Sequence, residues 1–298
     1  MPAGSGVSLA MTVSSDTVEF GGHTPGLLDR GVIALTSRMP DNWIGLRLAI
    51  LLRRISTMRL EYPAGALDVV RWGMRLRLHP RDNGCEKNLL FTPQMYEASE
   101  LAILSDEIAS VKVQGQRFVF VDIGANVGLF SFFVAASAGS DARILAIEPD
   151  AENFARLLFN IRSNPGVPIH AIQIALSDEA GELAVELLGR DRGGTHTRRV
   201  LNAESGTVGQ RIKAKTLHQL VQDEDIHRID CIKIDVEGFE DRILLPFFRS
   251  APSSLWPRLL LIEDAAVAWS MDLFSFLVAK GYAIIARSKQ NVMLRRQQ

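Results

Sequence analysis

Phe118-Val119-Phe120-Val121-Asp122-Ile123-Gly124-Ala125-Asn126-Val127-Gly128-Leu129-Phe130 is the stretch on which the fold depends. An apolar run ends in Asp122, a glycine-bearing turn follows over 124–128, and Leu129 to Ala138 has the length and apolar content of a packed helix. A buried strand, a tight turn and a helix open a nucleotide-binding α/β layout. Gly124 permits the turn. Gly128 is expected to let a ligand approach the helix start, where free N–H groups point outward. The spacing is G-x-x-x-G, not the G-x-G-x-x-G of a dinucleotide fold, which weighs against a nicotinamide cofactor.

Working outward, Arg143 to Ile147 reads as a second strand ending in Glu148-Pro149. Asp150 is placed to cap a helix whose apolar positions Phe154, Leu157, Leu158 and Ile161 recur at helical spacing. Ile169 to Leu176 is read as the third strand. Strand, helix, strand, helix, strand with short connections is half of a doubly wound parallel sheet. Glu182 to Leu188 and Gln210 to Thr216 then alternate like strands around a polar stretch, Arg190 to Thr197 included. This predicts an antiparallel insertion at 182–216. Ile229 to Ile234 is a fourth strand running into Asp235-Val236-Glu237-Gly238, with a helix over Phe239 to Phe248. Arg258 to Ile262 is a fifth, ending in Glu263-Asp264. Ala265 to Lys280 reads as a helix closed by Gly281, and Tyr282–Ala286 with Asn291–Arg295 as a hairpin. The sheet is therefore mixed.

Upstream, residues 1–25 read as a disordered tail, not a signal peptide: they are rich in Gly, Ser and Thr, with no basic start before an apolar core. Residues 26–90 read as an N-terminal extension, and 91–298 as the main domain. In the extension Asp68 to Leu78 suggests a strand or hairpin arm, followed by turn formers from His79 to Gly84. Pro93 to Ser105 has a helix-like pattern. Trp43 to Leu60 is a basic amphipathic helix with Arg47, Arg53, Arg54 and Arg59, suited to a membrane surface or, more commonly, to capping a domain with its arginines in solvent. No apolar run reaches the ~20 residues that span a bilayer.

Composition excludes little beyond that. Hydrophobic residues are 47% and charged residues 22%, ordinary for a chain of 298 residues with a sizeable core. A net charge of −1 gives no electrostatic case for nucleic acid. The two cysteines, Cys85 and Cys231, read as buried thiols in a reducing, cytoplasmic setting and are too few for a cysteine metal site.

Acids end four strands: Asp122, Glu148, Asp235 and Glu263-Asp264. Ligands of open α/β sheets lie beyond the carboxyl ends of the strands, so acids repeated there suggest a ligand with hydroxyl and amino groups. Glu148 follows Gly128 by the interval at which an acid accepts from a ribose diol.

Val121 to Gly128, Glu148-Pro149 with Asn153 and Asn160, Ala175-Leu176-Ser177-Asp178 with Gly181, and Ile232 to Gly238 with Glu240 together resemble the FkbM-type methyltransferases. These are class I S-adenosylmethionine-dependent enzymes, and the resemblance runs over roughly residues 90 to 290. Thr216-Leu217-His218-Gln219-Leu220 departs from the family's usual Thr-Leu-Asp-x-Leu, and His218 is assigned no role. The resemblance implies a seven-stranded sheet, S-adenosylmethionine as cofactor, and methyl transfer to a hydroxyl, commonly of a sugar or polyketide-like acceptor. By position, Asp122, Gly124, Asn126 and Gly128 cradle the methionine end, Glu148 holds the ribose, and Ala175, Ser177 and Asp178 border the adenine. Asp235 stands near the sulfonium and is the first candidate base, followed by Glu237 and His196. Nothing in the acid spacing demands a metal, and none is assigned. N-methylation, methylation of a small secondary metabolite, a nicotinamide oxidoreductase and a non-catalytic nucleotide-binding module are the alternatives. The acceptor and the oligomeric state are not fixed by the sequence.

Overall fold

The computed structural model describes residues 18–60, 65–187, 198–202 and 210–297. In chain order its elements are α1 (Leu27–Thr36), α2 (Trp43–Thr57), β1 (Leu67–Arg71), β2 (Met74–Leu78), α3 (Gly84–Phe91), α4 (Ala98–Val113), β3 (Phe118–Ile123), α5 (Leu129–Ala138), β4 (Ala142–Ile147), α6 (Ala151–Arg162) and β5 (Ile169–Ile172). There follow β6 (Ala175–Leu176), β7 (Gly181–Leu187), β8 (Arg198–Asn202), β9 (Gln210–Lys215), α7 (Leu217–Asp223), β10 (Cys231–Ile234), α8 (Glu240–Ser250), β11 (Leu259–Glu263), α9 (Leu273–Ala279), β12 (Tyr282–Arg287) and β13 (Asn291–Arg296).

Seven strands form the main sheet in the order β12-β13-β11-β10-β3-β4-β5. All neighbours are parallel except β13, which runs antiparallel to both β11 and β12. The hairpin read from the sequence thus closes the sheet by placing its second strand inside the first. The central strands are buried on both faces, as continuous apolar runs require. Their side chains alternate between two cores. Phe118, Phe120, Ile144 and Leu261 pack toward α4 and α5, and Val121, Ile123, Leu145 and Ile262 toward α7, α8 and α9.

Three sequence readings shift. The expected strand Ile169–Leu176 is two strands: β5 stays in the main sheet, and β6 leaves it to pair with β9 in a four-stranded sheet ordered β6-β9-β7-β8. Glu148 N–H closes the main ladder on the Ile172 carbonyl, and beyond it Ser177 N–H donates to Lys215. The helix read over Ala265–Lys280 begins only at Leu273, where Asp272 caps it. Side chains hold the preceding residues as a loop: Asp241 accepts from the N–H and hydroxyl of Ser270, and Glu240 accepts from the Trp269 indole. The helix read over Pro93–Ser105 starts at Ala98 and runs to Val113, because Glu97 lies in the left-handed region (φ 45°). α1 and α3 escaped the sequence reading.

The extension is bonded into the domain through buried polar contacts. Arg77 pairs with Asp68 at 2.8 Å and lies 3.9 Å over the ring of Phe159. Arg156 of α6 binds Asp82 at 2.7 Å and Glu86 at 3.4 Å. Asn160 accepts from Arg77 N–H and donates to the Val127 carbonyl, so one α6 side chain ties the hairpin to the glycine turn.

Candidate active site

The strand order reverses between β3 and β10, and a cleft partly open to solvent lies at that switch point. Its floor is the turn Gly124-Ala125-Asn126. One wall is apolar, from Ile147, Pro149, Ile174 and Leu176. The other is polar, from Asp235, Glu237, Glu97 and Asn291.

Backbone geometry explains the turn. Gly124 has φ +73°, and a Cβ there would sit 1.9 Å from the Asp235 carbonyl oxygen, so only glycine lets β10 pass this close. The N–H groups of Gly124 and Ala125 both donate to the Ile147 carbonyl. Gly128 answers to a packing constraint of its own. It has φ +87°, and a Cβ there would meet Leu157 of α6 at 2.5 Å and Phe132 at 3.2 Å; it serves helix packing and does not line the cleft.

Glu148, expected at a ribose, is fully buried and also absent from the cleft lining. One carboxylate oxygen accepts from Asn126 N–H at 2.7 Å and the other from Asp150 N–H at 2.9 Å. It shapes the turn from behind, holding Asn126 in the left-handed conformation (φ 54°). The Asn126 side chain, which lines the cleft, is fixed in turn by Asn83 of the extension at 2.8 Å.

Asp122 is buried one layer below. Its Oδ2 accepts from the Ser131 hydroxyl at 2.6 Å and the Ser131 N–H at 3.1 Å, while Oδ1 is buried with no hydrogen-bond partner among the described residues. Burial raises its pKa, and Lys233 opposes the rise. Lys233 is Asp122's register partner on β10. Its ammonium lies 3.2 Å from Asp235 and 3.3 Å from the Gly124 carbonyl, with the Phe130 ring 5.4 Å away. Burial alone would lower its pKa, but Asp235 and Asp122 outweigh burial and hold it above the ordinary lysine range. Lys233 is thus a fixed cation that orients Asp235, whose side chain is 37% exposed at the cleft.

The remaining residues singled out in the sequence divide. Ala175 lines the cleft; Ser177 and Asp178 do not, since Ser177 is buried and hydrogen-bonded to an exposed Asp178. Ile174 and Leu176 face the cleft instead. Glu237 lines it with strained backbone (φ 61°). Asp264 turns outward to Arg287. His196 lies outside the described residues. His218 meets Ser250 and does not line the cleft.

Several cleft residues lay beyond the sequence reading. Tyr96 and Glu97 precede α4, and Asn291 opens β13; Asn291 Nδ2 donates to Glu97 at 2.8 Å and to Glu100 at 3.0 Å. Burial, then the neighbouring Glu100, pushes the Glu97 carboxyl up to about 8. Glu263, which accepts from Glu237 N–H at 3.3 Å, is pushed up to about 9 by burial and then by Asp235, Glu237 and Glu240. Asp235, Glu237 and Glu263 were legible as acids at or just after strand ends, whereas only proximity in the fold adds Glu97 and Glu100 to them.

Comparison with known proteins accords with the geometry. The model of the methyltransferase FkbM domain matches residues 122–270, half of the chain. Methyltransferase sdnD of Sordaria araneosa is 24% identical over 252 residues, covering 63% of this chain and 97% of that protein. Hexuronic acid methyltransferase AglP of Haloferax volcanii is 30% identical over 126 residues, covering 42% of this chain; the chain spans about half (48%) of that protein's length. The solved precorrin-6y C5,15-methyltransferase from Geobacter metallireducens aligns with 71% of this chain and 92% of its own, at 13% identity and a TM-score of 0.38.

The cleft fits S-adenosylmethionine. An apolar wall suits a flat adenine, and the polar wall suits the cofactor's hydroxyl and amino groups. Asp122, which like Gly128 and Glu148 does not line the cleft, keeps one buried oxygen without a partner among the described residues beneath the turn. With the strand order, this cleft and a family match across half its length, the chain belongs to the FkbM methyltransferases and takes S-adenosylmethionine as its methyl donor.

Proposed function

We propose that the enzyme methylates a hydroxyl group of a carbohydrate or glycoconjugate, with Asp235 as the residue that receives the hydroxyl proton. The observation carrying this reading is the Lys233–Asp235 pair, which presents one half-exposed carboxylate to the cleft directly above the glycine turn. AglP, a relative over part of the chain, is named for a hexuronic acid acceptor, and this supports a sugar here.

S-adenosylmethionine, when bound, supplies an electrophilic methyl group on a sulfonium and leaves as a neutral thioether. The protein's task is placement and proton removal, since alignment and exclusion of water supply much of the rate of such transfers. Asp122 and the Gly124–Asn126 turn hold the methionine end, with Glu148 fixing the turn from behind. Ala175, between Ile174 and Leu176, borders the adenine. Asp235 accepts the acceptor's O–H hydrogen, so the oxygen's lone pair points at the methyl carbon, and the proton passes to its carboxylate. Asn126 and Asn291 offer further hydrogen bonds to a polyhydroxyl ligand. Glu237 is a second acid within the same wall. The thiols of Cys85 and Cys231 fit a reducing, cytoplasmic setting.

The test is methyl transfer to a panel of uronic acids, neutral sugars, amines and phenolic metabolites. Transfer to sugar hydroxyls is expected, falling about 100-fold in Asp235→Asn with KM little changed. Transfer to amines alone, or wild-type turnover in Asp235→Asn, would overturn the reading.

A further inference from the structure

α2 is packed the wrong way round for a helix whose only role is to cap a domain. It buries the small residues Gly45, Ala49 and Ser56 and turns its large apolar residues outward. Ile44, Leu48, Leu51, Ile55 and Met58 follow one another at spacings of four, three, four and three, so they form a single stripe. All five are exposed, Leu51 by 59% and Met58 by 78%. Trp43 is 68% exposed beside them, and Leu27 and Leu35 of the neighbouring α1 add to the apolar surface. Among the described residues nothing covers this face, and an apolar stripe of this extent on a water-soluble surface marks an interaction site.

Charge identifies the occupant. Residues 27–60 carry six arginines against two aspartates in a chain whose net charge is −1. α2 itself contains no acid, and Arg47 and Arg54 flank the stripe, Arg47 lying 5.5 Å over the Trp43 ring. One of the two aspartates, Asp29, is turned inward to the Ser56 hydroxyl. A second copy of the chain is a poor fit, because a two-fold interface would set these arginines against themselves. Spanning is excluded as well: no helix among the described residues is long and apolar enough to cross a membrane.

We infer that α1 and α2 dock the enzyme on an anionic lipid surface, with the Ile44–Met58 stripe entering the headgroup boundary and Arg47 and Arg54 meeting lipid phosphates. An in-plane amphipathic helix with apolar residues on one face and arginines along its flank has the chemistry for this. The inference stands apart from the reading of the cleft, and its readout does not involve methyl transfer.

Flotation with vesicles tests it, using phosphatidylcholine alone and phosphatidylcholine mixed with phosphatidylglycerol. The full chain is expected to float with the mixed vesicles, to be released by salt, and to remain behind with phosphatidylcholine alone. Binding should fall at least about tenfold in Arg47→Glu/Arg54→Glu, and comparably in Leu51→Glu/Ile55→Glu. S-adenosylmethionine binding, unchanged in both variants, shows that they remain folded. No flotation, equal flotation with both vesicle types, or flotation insensitive to both variants would overturn the inference. So would self-association that Leu51→Glu/Ile55→Glu abolishes.

Discussion

At the residue scale the site is organised by Lys233, whose ammonium joins Asp235, the Gly124 carbonyl and the field of Asp122. Lys233→Met removes the cation and leaves two neighbouring acids uncompensated. Discounting for the exposure of Asp235, urea unfolding should show a loss of about 2 kcal/mol, and turnover should fall with it. Gly124→Ala is expected to be worse, because its Cβ meets a backbone oxygen and its φ is positive. A loss of about 3 kcal/mol or more, with S-adenosylmethionine binding abolished, is the outcome to look for in the same unfolding and titration experiments. The acids give a pH signature. Glu97 and Glu263 have folded values of about 8 and about 9, above an ordinary value of 4.5. Between those limits the folded state holds protons that the unfolded state has lost, so stability should fall as pH rises from about 4.5 to 9. Thermal melts across that range should show the decline, and Glu97→Gln and Glu263→Gln should each flatten it.

At the scale of elements, α6 is the beam between extension and turn. Its Arg156 binds Asp82 and Glu86 in full burial, so Arg156→Met should cost about 3–5 kcal/mol by urea unfolding, as for a broken buried pair. Asn83→Ala removes both the link to Asn126 and the N-cap of α3, where its side chain accepts from Glu86 N–H, so about 1–2 kcal/mol should be lost in urea unfolding together with weaker cofactor binding. These links also show what a sequence reveals. The strands β3, β4, β10 and β11 were legible because burial on both faces forces continuous apolar runs, and the closing hairpin because Ser288 to Gln290 interrupt two alternating ones. Glu97 was illegible, because its meaning comes from Asn291, nearly two hundred residues away. Gly128 and Glu148 have contacts that the local motif does not show: a Cβ at Gly128 would meet Leu157, and Glu148 accepts from the Asn126 N–H. Ala265 to Trp269 looked helical because apolar content does not reveal that Glu240 and Asp241 claim the loop's donors.

At the scale of the whole molecule, a parallel sheet whose order reverses between β3 and β10 makes one crevice, and the extension closes its back through Asn83 and Cys85. The proposed function gives the crevice two ends with separate duties: Asp122 and the turn for the donor, and Asp235 for the acceptor's proton. That division is tested most directly by calorimetric titration of S-adenosylmethionine into the wild type, Asp122→Asn and Asp235→Asn, with turnover measured on the same preparations. Asp122→Asn should bind about 10-fold or more weakly, as for a lost charged hydrogen-bond partner, while Asp235→Asn binds within a few-fold of wild type and turns over about 100-fold more slowly. Wild-type affinity in Asp122→Asn together with wild-type turnover in Asp235→Asn would contradict the assignment of both ends.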